Sequence, residues 1–154
     1  MLFVCTGNIC RSPTAEGIAL HLIKQMGLSD LIEVDSAGIN GFHAGEPPDP
    51  RACKAAAERG YDLSALRARK LEFADFQRFD LILAMDEGHL DRMMRECPPV
   101  YRAKLDLFMH YVVEREFDEV PDPYYGGTAG FTVVLDLCER GVRGILETLR
   151  AECG

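Results

Sequence analysis

The sequence predicts an α/β fold: an open sheet of about four parallel strands with helices on both faces. Two observations carry this. Short apolar runs alternate along the chain with segments of helical periodicity, and parallel strands need crossover connections of that kind. The length of 154 residues, with 47% hydrophobic and 27% charged residues, suits one globular domain spanning residues 1–154.

Residues 1–5 (MLFVC) form an apolar run that meets Thr6-Gly7-Asn8, as a buried strand entering a loop does. A helix follows, with Ser12 as its cap and Pro13 in its first turn. Ala15, Ile18, Ala19, Leu22, Ile23 and Met26 lie on its apolar face, and Gly27 stops it. Residues 32–39 (IEVDSAGI) read as a second strand, and residues 38–50, rich in Gly and Pro, as a loop. Asp49-Pro50 opens a second helix that ends near Gly60. DLILAM (80–85) is an interior strand, followed by a helix from about Asp86 to Cys97 that Pro98-Pro99 terminates. KLDLFM (104–109) is the fourth strand and residues 110–127 a long loop. The chain closes with a helix whose stripe is Phe131, Val134, Leu135, Cys138, Val142, Ile145 and Leu149, despite Gly141 and Gly144 inside it.

The net charge of −8 argues against an extended nucleic-acid surface, which would need clustered Lys and Arg. It does not exclude one phosphate, because local dipoles and a single guanidinium act at short range while distant carboxylates are screened. The opening MLFVCTGN carries no signal-peptide pattern and no apolar run is long enough to span a bilayer, so the expected compartment is the cytoplasm, with no membrane association. Six cysteines at irregular positions suit reduced thiols better than a secreted disulfide framework.

In open parallel sheets, ligands bind beyond the carboxyl ends of the strands, so the loop after the first strand is the first candidate site. It reads Cys5-Thr6-Gly7-Asn8-Ile9-Cys10-Arg11-Ser12. A cysteine and an arginine at this spacing are expected by chance on the order of half a time in this composition. The setting between a strand and a helix amino terminus, with Gly and Asn where a tight loop needs unusual angles, makes the pattern specific. Consecutive amides in such a loop make a concave nest with partial positive charge, which fits a phosphate. Arg11 is planar and permanently charged, and can hold two phosphate oxygens at once. The same field favours the Cys5 thiolate, a nucleophile for phosphorus, and Ser12 is placed to donate a hydrogen bond to it.

VCTGNICRSPTAE, with DPYYG far downstream, closely resembles the low-molecular-weight protein tyrosine phosphatases. The likeness runs the whole length, through SAG after strand two, DLILAMDE and the terminal helix. It implies a flavodoxin-like sheet, a cysteinyl-phosphate intermediate, no metal or other cofactor, and an aspartate in the DPYY loop as general acid. Carried over by position, Cys5 is the nucleophile. Thr6, Gly7, Asn8, Ile9, Cys10 and Arg11 supply phosphate-binding amides, Arg11 adds its side chain, and Asp122 is the acid. Asn8, helped by Ser36, holds the loop in shape, and Ser12 steadies the thiolate. Tyr124 and Tyr125 form one wall of the cleft, with Phe42 as a specificity aromatic. A cleft deep enough for a phenyl ring admits phosphotyrosine, whereas phosphoserine has a shorter stem.

The expected partner is a phosphotyrosine-bearing protein, a tyrosine kinase being one candidate by analogy, and a monomer is the simplest assembly. Cys10 is a candidate redox partner, able to capture oxidised Cys5 as a disulfide. The four histidines show no ligand spacing, and read as surface or cap residues. Cys53, Cys97, Cys138 and Cys153 read as core or tail cysteines. The closest alternative is a thiol-dependent arsenate reductase of the same fold, but its shuttle needs a cysteine pair after strand three, where residues 85–97 carry one. A phosphocysteine carrier would have no use for Asp122.

Overall fold

The computed structural model describes residues 1–124 and 127–153. Four strands, β1 (Leu2–Cys5), β2 (Asp35–Gly38), β3 (Ile82–Ala84) and β4 (Leu105–Leu107), form one sheet in the order β2-β1-β3-β4, with every pair parallel. The chain therefore steps from β1 to one side, then to the other. The order reverses between β1 and β3, and the cleft beyond their carboxyl ends is where this topology puts a ligand.

β1 is buried along its whole length, which explains its unbroken apolar run. Phe3 and Cys5 face one layer, with Leu83, Met85, Ile18, Leu22, Leu135 and Val142. Leu2 and Val4 face the other, with Ile82, Ala84, Phe76, Phe79 and Met93. The first layer is built by α1 (Arg11–Gln25), α2 (Pro50–Glu58) and α5 (Thr128–Cys153), the second by α3 (Phe73–Arg78) and α4 (Glu87–Glu96).

The strands and longer helices lie where the sequence places them, but β2 and β3 are shorter than residues 32–39 and 80–85, and three further differences stand out. α3 was not expected, being less than two turns long and too short to show a helical period; a capping box between Glu72 and Asp75 holds its start. The fourth strand is shorter than residues 104–109, because Phe108–Tyr111 turns into a 3₁₀ helix beneath α5. Ser12 does not cap α1: Cys10 occupies that position and the Ser12 hydroxyl is engaged elsewhere. Asp49 does cap α2, accepting from Arg51 N at 2.8 Å.

The interior glycines of α5 are explained by close approach. A Cβ at Gly141 would overlap the Phe108 ring, and one at Gly144 the Tyr111 carbonyl, so these glycines let α5 lie against the 3₁₀ turn. Cys97 and Cys138 are buried core thiols. Among the described residues, no helix is long and apolar enough to cross a membrane.

Candidate active site

The loop from Cys5 to Arg11 joins β1 to α1 with its carbonyls turned outward. Cys5 O accepts from Ile39 N at 2.9 Å, Thr6 O from Asn40 N at 3.1 Å, Ile9 O from Asp49 N at 2.8 Å, and Cys10 O from Thr14 N at 3.3 Å. In a trans peptide the N–H points opposite the C=O. Four outward carbonyls thus direct the amides of Thr6, Gly7, Cys10 and Arg11 inward, toward one cavity of about 280 Å³.

This close docking explains the SAG sequence of β2. A Cβ at Gly38 would lie 2.9 Å from both Asn40 O and Thr6 O, so any side chain there would push the loop away.

Asn8 is the loop's interior brace. Its φ of 60° is in the left-handed region, which asparagine tolerates better than most residues. Its amide nitrogen donates to Ser12 Oγ at 2.8 Å and Ser36 Oγ at 2.9 Å, and its carbonyl accepts from Arg69 N at 3.0 Å. Ser36 in turn donates to Glu16 Oε1 at 2.5 Å. Because Ser12 Oγ accepts from Asn8, its own proton is left for Cys5 Sγ, 2.9 Å away. Burial pushes the Glu16 carboxyl up to about 7.

Arg11 is 3% exposed, and its guanidinium is held from three sides. Nη1 donates to Asp86 Oδ2 at 2.9 Å and to Val120 O at 3.2 Å, while Nη2 donates to Thr6 Oγ1 at 3.2 Å. Of the five N–H groups of an arginine, this leaves, among the described residues, Nε–H and the second hydrogen of Nη2. Those two lie along one edge of the plane, the arrangement that binds two oxygens of one phosphate. Asp122 Oδ2 stands 3.6 Å from Nη2, and its Oδ1 accepts from Tyr124 N at 3.0 Å, so the turn at residues 122–124 aims this carboxylate into the same cavity.

The cavity rim carries Phe42, 86% exposed, His43 and Tyr124. His43 Nδ1 is 2.6 Å from Glu46 Oε2. Arg51 ties the rim to α2: it pairs with Asp49 Oδ2 at 2.9 Å, donates to Tyr124 O at 3.0 Å, and stacks over the Phe131 ring at 4.7 Å. A larger depression of about 710 Å³ lies at the opposite pole, around Met1, Leu28, Leu31 and Leu149, with no cysteine among the described residues of its lining.

The structure thus brings together Cys5, Thr6, Gly7, Ile9, Cys10, Arg11, Phe42, Asp122 and Tyr124 around one cavity, with Asn8, Ser12 and Ser36 behind it. The expectation for Tyr125 lies outside the described residues. Sequence reasoning missed Asp86, His89 and Glu16. Asp86 was not legible, because the β1–β3 register of Val4 with Ala84 that carries it level with Thr6 is set by the tertiary structure. His89, a surface or cap residue by its sequence, is buried, with Nε2 2.8 Å from Thr6 Oγ1. Burial, and then Arg11, lower its pKa to about 4.

A sequence profile described as low molecular weight phosphotyrosine protein phosphatase matches residues 1–153. The chain is 44% identical to a low molecular weight protein-tyrosine-phosphatase of Streptomyces coelicolor, across 97% of this chain and 93% of that one. Among solved structures it resembles a protein tyrosine phosphatase from Entamoeba histolytica with Hepes in the active site, with a TM-score of 0.95 and 36% identity over 99% of this chain and 97% of the other. A product-state mimic of the Entamoeba histolytica enzyme gives a TM-score of 0.92 at 35% identity, covering 97% and 94% of the two chains.

Proposed function

This chain belongs to the low molecular weight phosphotyrosine protein phosphatase family and is a phosphoric monoester hydrolase of protein phosphotyrosine, and within that activity we propose that Cys5 is the nucleophile, Arg11 the phosphate clamp and Asp122 the proton donor. The observation that carries this assignment is the convergence of a cysteine sulfur, an edge-on guanidinium, inward amides and an acidic turn on one cavity.

The phosphate of the substrate sits in the loop, its oxygens on the amides from Thr6 to Arg11 and on the open edge of Arg11. Cys5 thiolate attacks phosphorus in line as the P–O bond to the phenol breaks, and Asp122 gives its proton to the departing oxygen. Free tyrosine and cysteinyl phosphate result. Asp122, now a carboxylate, takes a proton from water as the water oxygen attacks phosphorus. The S–P bond breaks, inorganic phosphate leaves and the Cys5 thiolate is restored. In both steps the amides and Arg11 stabilise the three equatorial oxygens, where a preorganised site acts most strongly. Ser12 donates to the Cys5 sulfur as it regains its charge, and Asn8 and Ser36 hold Ser12 and the loop in place.

Phe42 and Tyr124, with Tyr125 by resemblance, flank the phenyl ring of the substrate. Cys10 is the redox partner of Cys5; burial, then Asp49, pushes its thiol up to about 12, so it does not compete with Cys5 for phosphorus, and it acts only on a Cys5 already oxidised to the sulfenic acid. The protein acts as a cytoplasmic monomer comprising one phosphatase domain, and a tyrosine kinase is one substrate candidate. The arsenate reductase alternative is not favoured, since the matched family and structures are phosphatases and the lone cysteine of residues 85–97, Cys97, is buried.

The test is metal-free hydrolysis of an aryl phosphate at about pH 6, comparing the intact protein with Cys5→Ser and Asp122→Ala. Loss of activity in the first and a strong fall in kcat in the second are expected. An inactive, reduced wild-type protein would overturn the assignment.

A further inference from the structure

His89 sits in the first turn of α4, pointing back beneath the phosphate loop. Its Nε2 meets Thr6 Oγ1 at 2.8 Å, and the same oxygen accepts from Arg11 Nη2 at 3.2 Å. Asp86 Oδ1, an acceptor only, lies 3.2 Å from His89 Nδ1 and favours the ring proton on that nitrogen, which leaves Nε2 to accept the Thr6 hydroxyl proton while the Thr6 oxygen accepts from Arg11. The ring is then neutral with its proton on Nδ1. That atom is buried, and its contact with Asp86 Oδ1 is out of line for a hydrogen bond among the described residues. Asp86 Oδ1 is already engaged by the His89 backbone N–H at 2.8 Å, while Asp86 Oδ2 holds Arg11 Nη1.

Arg11, Asp86, His89 and Thr6 therefore close a ring of contacts in which one residue of α4 touches two of the guanidinium's three anchors. We propose that His89 is a positioning residue for the phosphate clamp: as acceptor of the Thr6 hydroxyl proton, it fixes the Thr6 oxygen as the anchor of Arg11 Nη2. The consequence is geometric. With Nη1 fully used and one hydrogen of Nη2 committed to Thr6, the edge formed by Nε–H and the other Nη2 hydrogen is the one presented to phosphate. If Thr6 instead turned its proton toward Arg11, the guanidinium would lose that anchor and could rotate, and two-point contact with the equatorial oxygens would be lost. This inference rests on the phosphatase reading of the same site.

The chemistry singles out the acceptor at Nε2. His89→Gln keeps an amide oxygen near that position, whereas His89→Phe keeps the ring's bulk and removes the acceptor. The experiment measures the inhibition constant of inorganic phosphate and the separate KM and kcat for an aryl phosphate, in wild type, His89→Gln, His89→Phe and Thr6→Val. Loss of one anchoring hydrogen bond should weaken phosphate binding about fivefold in His89→Phe and Thr6→Val, with a larger fall in kcat, and His89→Gln should recover most of both. The double variant should be no worse than either single one, because both remove the same link. Unchanged phosphate inhibition in Thr6→Val and in folded His89→Phe, or equal losses in the Gln and Phe variants, would overturn the proposal. If His89→Phe does not fold, Thr6→Val and His89→Gln still decide it. Wild-type hydrolysis in the same assay separates failure of this inference from failure of the phosphatase reading.

Discussion

The side-chain nitrogen of Asn8 donates to Ser12 Oγ at 2.8 Å, and that contact sets the direction of the Ser12 proton toward the Cys5 sulfur. A residue outside the reaction thus determines which way a hydroxyl beside the nucleophile points. The same nitrogen reaches Ser36, and the carbonyl reaches the Arg69 amide, so one carboxamide fastens α1, β2 and the segment before α3 to the loop.

Replacing it separates the brace from the chemistry. Asn8→Ala removes all three hydrogen bonds and puts alanine at φ 60°, a loss of about 2–4 kcal/mol of stability. Asn8→Asp keeps the acceptor for Arg69 N but has no donor for either serine, so it should lose less stability while kcat still falls about tenfold or more. Thermal unfolding with aryl phosphate kinetics checks both. Wild-type kcat in a folded Asn8→Asp would refute the role of the brace.

Glu16, at the far end of this chain, predicts a pH dependence of stability. Its folded pKa is raised from 4.5 to about 7, chiefly by burial, against the pull of the Ser36 hydrogen bond. Between those values the unfolded chain has released a proton that the folded protein retains. The contribution is therefore complete below about pH 4.5 and is lost as the pH rises through 7. His89 has the opposite sign: lowered from 6.5 to about 4, it contributes stability above 6.5 that is lost as the pH falls through 4. Glu16→Gln cannot titrate, so its Tm should rise relative to wild type across the range from 4.5 to 7. A constant Tm difference across that range would count against the buried, protonated Glu16.

The Cys5–Cys10 pair predicts the outcome of oxidation. Peroxide converts Cys5 to the sulfenic acid, and attack by the Cys10 sulfur forms the disulfide, with the sulfenic oxygen leaving as water together with the Cys10 proton. Wild type should lose activity, lose two hydrogens by intact mass, and recover with a thiol reductant. Cys10→Ser should instead proceed to the sulfinic acid at Cys5 and fail to recover. Sulfinic Cys5 in wild type, with no disulfide, would refute the pairing.

The nucleophile, the clamp and the amide nest were legible in the sequence because they come from one run, Cys5 to Arg11, whose local pattern carries its own chemistry. Asp122 was legible only through the resemblance, since a Pro-flanked aspartate in a loop has no signal of its own. The alternation of apolar runs and helical periods specified the parallel sheet, as burial on both faces demands continuous apolar strands like β1.

What only the tertiary structure decided is how the clamp is held. Arg11 takes its anchors from Asp86 and Val120, 75 and 109 residues away, and Thr6 meets His89 across 83 residues. Those contacts depend on the register between β1 and β3 and on the direction α4 takes as it leaves the sheet, which sequence spacing does not encode. The same holds for Ser12, whose position near a helix start suggested a cap. Packing against Asn8 and Cys5 gave its hydroxyl a different partner, because a buried polar group takes the hydrogen bonds that its three-dimensional neighbours offer.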